Sequence, residues 1–293
     1  MAPALVDCQF SPIPLPSTKN PREEHAVSYI RIEKPRQHTS VIVMDRPERM
    51  NSMSFEQMVP LHEAFEEVAA DNDTWCVILT GTGRGFSSGA DTQDSEPPPN
   101  IEGLTLTRIA TRAMSILADL VPAMRRMPQP VIGAINGAAI GGGMCLSLGC
   151  DIRIAAESAY FRAAGINNGL TATELGLSFL LPRAIGTSRA FELMLSGRDL
   201  DAREAASIGL VSRTVPDAEL RDTALDLADQ INGWSTQGVQ LTKKMMWSGL
   251  ETGSLAAAVE LESHTQLFVR MTTQNFEEAT RARKEGRRPE FRD

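Results

Sequence analysis

Thr80-Gly-Thr-Gly-Arg-Gly-Phe-Ser-Ser-Gly-Ala-Asp91 and Asn136-Gly-Ala-Ala-Ile-Gly-Gly-Gly-Met-Cys-Leu146 are the two stretches on which the reading of this chain turns. Each follows a short apolar run, Trp75–Thr80 (WCVILT) before the first and Pro130–Ile135 (PVIGAI) before the second. Apolar runs of this length, ended by a turn-forming residue, read as buried strands. Twice, then, the chain leaves a strand into a glycine-rich loop, and the second loop opens a helix.

Three readings of the loops compete. Gly81-Thr-Gly83-Arg-Gly85 misses the GxGxxG spacing of a dinucleotide-binding turn by one position, and no Lys-Ser/Thr pair follows as a Walker loop requires. Either loop alone could be a tight turn, because glycine reaches backbone conformations closed to other residues. The pair says more. Gly141-Gly142-Gly143 at a helix start leaves N–H groups without intrahelical partners and exposes the positive end of the helix dipole. Ser88-Gly89-Ala90 can present a second N–H. Two such amides, at Ala90 and Gly142, converging on one oxygen form an oxyanion hole, where each donor is worth about 3–4 kcal/mol.

Working outward, Val27–Glu33 alternates apolar and polar residues, and Thr39–Asp45 is a β-branched run ending at Arg46-Pro47. Both read as strands. Ser54-x-x-Gln57 resembles a capping box for a helix reaching Ala70, with Pro60 expected to kink it. Leu104–Arg126 is long and amphipathic. Asp201-x-x-Glu204 caps a short helix that Gly209 ends. Helices are expected over Asp217–Asn232, Thr236–Trp247 and Ser254–Glu285. The fold class is α/β. The expected division is a Pro-rich leader over 1–25, a strand-rich core over 26–215 and a helical region over 216–293.

The chain has 293 residues and a net charge of −8. The charge is dispersed, so it lacks the basic footprint of a nucleic-acid surface. Cys8, Cys76, Cys145 and Cys150 form no CxxC pair and no Cys/His cluster, which argues against structural zinc and for a reduced, cytoplasmic protein. No window approaches the length of a membrane-spanning helix. His25, His38, His62 and His264 stand apart from every motif named here.

Phe86–Asp91 (FSSGAD), Pro130–Gly143 (PVIGAINGAAIGGG) and Cys150–Ala155 (CDIRIA) together closely resemble the crotonase (enoyl-CoA hydratase/isomerase) superfamily. Arg46–Met53 (RPERMNSM) resembles its early Arg-Pro-x-x-x-Asn segment, and Leu180–Val215 its later helix–turn–helix and strand. The resemblance runs from about Val27 to the C-terminus. It implies a spiral of βαβ turns with a C-terminal helical trimerisation region, a trimer or hexamer, and a coenzyme A thioester as substrate. It implies no cofactor and no metal. By position, Ala90 and Gly142 donate the oxyanion N–H groups, Gly141 borders them, and Arg49, Ser88 and Asp91 lie along the CoA moiety.

The pattern breaks at the proton-moving groups. Typical hydratases of the family carry one glutamate three residues after the middle glycine, where this chain has Cys145. They carry another where Gly165 aligns. Alignment back from Leu181–Gly186 instead places Glu174 where the family's isomerases carry their acid. Thr171-x-x-Glu174 is also a candidate capping box. Cys145 could be a nucleophile only with a base beside it, and none is evident. Asp91 and Asp151 read as backbone-bonding residues. Asp94 and Glu96 lie in a Pro97-Pro98-Pro99 loop expected to cover the acyl pocket. The expectation is an enoyl-CoA hydratase-type enzyme acting by hydration or double-bond migration. The alternatives are an isomerase with Glu174 as sole acid/base, another thioester reaction such as hydrolysis or decarboxylation, and a non-catalytic acyl-CoA binder.

Overall fold

The computed structural model describes residues 29–93 and 96–292. The leader, Cys8, His25 and Asp94 lie outside the described residues. The first strand, β1 (Ile30–Arg36), pairs antiparallel with β2 (Thr39–Met44). Beyond β2, parallel pairing adds β3 (Cys76–Gly81), β5 (Val131–Ile135), β7 (Ile152–Ala156) and β10 (Arg213–Val215). Helix α1 (Phe55–Ala70) packs on β1 and β2, and α7 (Leu220–Asn232) packs on β3, β5 and β7. Every residue of β2 and β5 is buried. Burial on both faces explains why these strands read as continuous apolar runs rather than alternating ones.

A second, four-stranded sheet holds β4 (Gly85–Ser87), β6 (Ala138–Ile140), β8 (Tyr160–Arg162) and β9 (Leu200–Asp201). Three of its strands each come straight after a strand of the first sheet: β3 then β4, β5 then β6, β7 then β8. Two of these pairs lead into a helix, α2 (Leu106–Arg126) after β4 and α3 (Gly142–Gly149) after β6. One turn of the spiral is thus the expected βαβ crossover between parallel strands of the first sheet, with a short strand of the second sheet added before the helix. Strands of two or three residues carry too little periodicity to be seen in sequence. Phe86 on β4 and Phe161 on β8 are fully buried and knit the second sheet to the core.

The helices differ from expectation where side chains found other partners. Ser54 does not cap α1; its hydroxyl accepts from Arg46 Nη1 at 3.1 Å, and Gln57 is buried. Helix α1 runs unbroken through Pro60. Asp201 does cap α6 (Ala202–Ser207), accepting from the Glu204 N–H at 2.7 Å. Downstream come α4 (Leu177–Ile185), α5 (Thr187–Ser196) and α8 (Thr236–Glu251). The stretch Ser254–Glu285 is two helices, α9 (Leu255–Thr272) and α10 (Asn275–Glu285). Thr273 is extended at the break, and its hydroxyl accepts from Asn275 N–H, a local bond that competes with helix continuation. No helix among the described residues is long and apolar enough to cross a membrane.

A buried ion pair docks α8 on the core. Lys243, 7% exposed, pairs with Asp151 at 2.9 Å and donates to the carbonyls of Met124 and Gln129. Asp151 also accepts from the Val131 N–H and from Trp247 Nε1. Burial holds the Lys243 ammonium below its ordinary pKa despite Asp151. Replacing Lys243 with Met would strand the Asp151 charge; the expected cost is about 3–5 kcal/mol, read as a fall in the urea midpoint with unchanged slope.

Candidate active site

The site is built by pressing two backbone segments together. Gly89 has φ +78°, and a Cβ there would stand 2.5 Å from the Ile140 carbonyl and 3.1 Å from the Gly142 nitrogen. Only glycine lets the segment after β4 lie this close to the start of α3. Met53 N–H bonds the Gly89 carbonyl at 2.8 Å, and Asp91 N–H bonds the Met53 carbonyl at 3.3 Å. This parallel bridge spends the bonds on either side of Ala90 and leaves the Ala90 N–H without an acceptor among the described residues. Gly142, the first residue of α3, has no intrahelical partner for its N–H either. Ala90 and Gly142 line one cavity of about 1520 Å³.

Two asparagines brace the approach. Asn51, at φ +54°, accepts from the Arg46 N–H and donates to the carbonyls of Thr82 and Gly85. Asn136 accepts from the Gly81 N–H and donates to Gly83 and Gly85. Both amides tie the 81–85 loop, so its glycines serve a braced turn.

Asp91 is buried at its side chain and accepts from Ser52 at 2.8 Å and from the guanidinium groups of Arg46 and Arg49. Ser88 donates its N–H to the Met50 carbonyl and its hydroxyl to the Arg49 carbonyl. Arg49, Ser88 and Asp91 thus form a clamp beside Ala90 and do not line the cavity. Their visible effect is to hold the Ala90 N–H in place.

Glu174 lies beside Gly141. Its Oε1 lies 3.2 Å from where a Cβ on Gly141 would stand, and it lines the cavity with Ala90 and Gly142. It sits in the loop before α4, whose N-cap is Gly176; Thr171 bonds Thr173 instead, so no capping box forms. The carboxyl is half-buried with no hydrogen-bond partner among the described residues, and burial raises its pKa. A base near neutral solution needs this environment. The other acid lining the cavity, Glu251, is paired with Arg125 at 2.6 Å.

Cys145 is fully buried, and its thiol donates to the Glu174 carbonyl at 3.4 Å. Burial, and then the Glu174 charge, push this thiol well above its ordinary pKa, so it is a poor nucleophile. Burial likewise raises Cys76 and Cys150 to about 12. At Gly165 a Cβ would stand 1.9 Å from the Thr171 carbonyl. A glutamate cannot occupy that position while the 165–176 loop folds over it. Gly165→Ala is expected to cost about 1–3 kcal/mol through overpacking and to lower turnover by displacing the Glu174 loop, checked by thermal unfolding alongside initial rates.

None of residues 96–103 lines the cavity in this structure, and Arg112 ties this segment to α2 through the Pro99 and Asn100 carbonyls. Among the described histidines, His38 stacks on Trp75 and His62 bonds Asp119. None lines the cavity. Met53, whose Sδ would meet a Cβ on Gly142 at 2.5 Å, and the α8 residues Lys243 and Trp247 were not foreseen. Their positions follow from packing between distant segments, for which one sequence carries no signal.

Ala90, Gly142 and the half-buried Glu174 carboxyl thus share one cavity of a spiral α/β core. The chain belongs to the enoyl-CoA hydratase/isomerase family, whose sequence model matches residues 35–293. It is 57% identical over 267 residues to a probable enoyl-CoA hydratase of Mycobacterium bovis, covering 91% of this chain and 94% of that one. A solved probable enoyl-CoA hydratase/isomerase from Mycobacterium abscessus is 52% identical, with a TM-score of 0.86 over 90% of this chain and 99% of the other. A monofunctional enoyl CoA isomerase from M. smegmatis is 51% identical, with a TM-score of 0.68 over 79% of this chain and 98% of the other.

Proposed function

We propose that this enzyme moves the double bond of an enoyl-CoA, with Glu174 as its sole acid and base. The carrying observation is that one unpaired carboxyl, Glu174, stands beside Gly141 and lines the cavity with Ala90 and Gly142, while Cys145 and Gly165 stand where the family's hydratases carry glutamate. In a 3-enoyl-CoA, the Glu174 carboxylate takes a proton from C2. The C–H electrons pass into a dienolate whose oxygen accepts from the Ala90 and Gly142 N–H groups. Glu174, now neutral, returns the proton to C4, leaving the 2-enoyl thioester. Atoms and charge balance without a second reactant. Hydration asks more of the protein, because water must be held and activated while a proton reaches the α-carbon.

The reaction needs only a base and oxyanion donors, so the reading includes no cofactor and no metal. It places the enzyme in cytoplasmic fatty-acid metabolism. Arg49 and Ser88 border the CoA arm while the Arg49–Asp91 pair steadies Ala90. A homotrimer or dimer of trimers is supported by α9, which buries no residue and exposes Leu255, Leu267, Phe268 and Met271. The direct test supplies crotonyl-CoA and a 3-enoyl-CoA separately and follows product mass. Double-bond migration without water addition is the expected result. Efficient hydration of crotonyl-CoA would overturn the single-base reading.

A further inference from the structure

Helix α2 presents Met114, Leu117, Ala118, Val121, Pro122 and Arg125 to the cavity that holds Ala90, Gly142 and Glu174. These positions follow the i, i+3, i+4, i+7, i+8, i+11 spacing of one helical face. The face is apolar until its last member, yet Met114 is 63% exposed and Ala118 is exposed. Phe179, Leu180 and Leu241 line the same space from α4 and α8. An exposed apolar stripe continuous with reactive groups marks a ligand groove rather than a solvated surface.

Its length sets the ligand. From Met114 to Arg125 is 125 − 114 = 11 residues, or about 16 Å at about 1.5 Å per residue. An extended chain advances about 1.2 Å per atom, as a three-atom peptide unit advances about 3.5 Å. The stripe therefore matches roughly a dozen carbon atoms, far more than the four that react. Its end is also informative. Arg125 stacks on Trp247 at 3.9 Å and pairs with Glu251, so its charge is already answered within the chain.

We infer that the selected substrate carries a long, unbranched acyl chain of roughly ten to fourteen carbons, laid along the α2 stripe. The inference rests on the reading of this cavity as an acyl-CoA site. A fully buried methylene tightens binding about four-fold; a groove open on one side returns about two-fold. Eight added methylenes then give on the order of a hundred-fold.

The test titrates the protein with butanoyl-, octanoyl- and dodecanoyl-CoA, saturated thioesters in which no double bond can move. Affinity is expected to rise with length, on the order of a hundred-fold from butanoyl to dodecanoyl. Ala118→Phe narrows the groove from an exposed position and is expected to weaken dodecanoyl-CoA at least about five-fold more than butanoyl-CoA. Equal affinity at all lengths, or tightest binding of butanoyl-CoA, would overturn the length assignment while leaving the acyl-CoA site intact. Failure to bind any of the three would overturn the acyl-CoA reading itself.

Discussion

Glu174→Gln is expected to slow 3-enoyl-CoA isomerisation by about 10²–10⁴-fold, the range over which a positioned acid/base contributes, without loss of fold. The amide keeps the shape of the side chain and cannot take a proton. Stability separates this result from misfolding. Burial raises the Glu174 pKa above its ordinary 4.5. The folded state therefore holds the proton more tightly than the unfolded chain. That contribution is fully present below pH 4.5 and is lost as pH rises through the folded pKa. At neutral pH the ionised group is a net cost, so the neutral glutamine variant is expected to melt no lower than the parent. The same shift sets the rate profile. Only the carboxylate is a base, so kcat/KM of the parent rises with pH through a midpoint above 4.5, and the variant's residual rate lacks that limb. A variant with the parent's rate, or a parent profile with no acid limb, removes Glu174 from the reaction.

Gly142→Pro tests the other half of the site. Proline has no N–H and is tolerated at the first position of a helix, where that group is unpaired anyway. Gly142 holds that position in α3. The exchange deletes the N–H proposed to hold the thioester oxygen while the fold retains its hydrogen bonds. Loss of about 10²–10³ in kcat is expected, with the Ala90 N–H still in place. Gly142→Ala is the matched control: it keeps the N–H and adds a Cβ facing Met53 Sδ, the mobile end of a flexible side chain. A proline variant within a few-fold of the alanine variant would show that this amide does not carry the oxyanion.

The two halves were unequally visible in the sequence. The role proposed for Ala90 and Gly142 is a backbone one, and a backbone donor must be freed and approached closely. Those demands write themselves as glycines after a strand, which is why Ser88-Gly89-Ala90 and Gly141-Gly142-Gly143 could be read directly. Glu174 could be placed only by alignment, because a lone glutamate before a helix looks the same whether it caps or catalyses. The structure removes the capping box, since Thr171 bonds Thr173, and the 165–176 loop folds over Gly165 to bring Glu174 to Gly141. Arg49, Ser88 and Asp91, which the resemblance sets along the CoA moiety, bond to one another and to the backbone that carries Ala90.

The α/β class, the buried parallel strands and the two glycine-rich loops are legible in the residues alone, because each is written in local residue type and period. Only the tertiary structure decided the two-sheet spiral, the reach of Glu174 and the cavity wall shared by α2 and α8. Strands as short as Gly85–Ser87 have no period to read. The Lys243–Asp151 pair joins residues more than ninety positions apart. Such contacts are chosen by the burial energy of the whole core, to which any single segment contributes only a part.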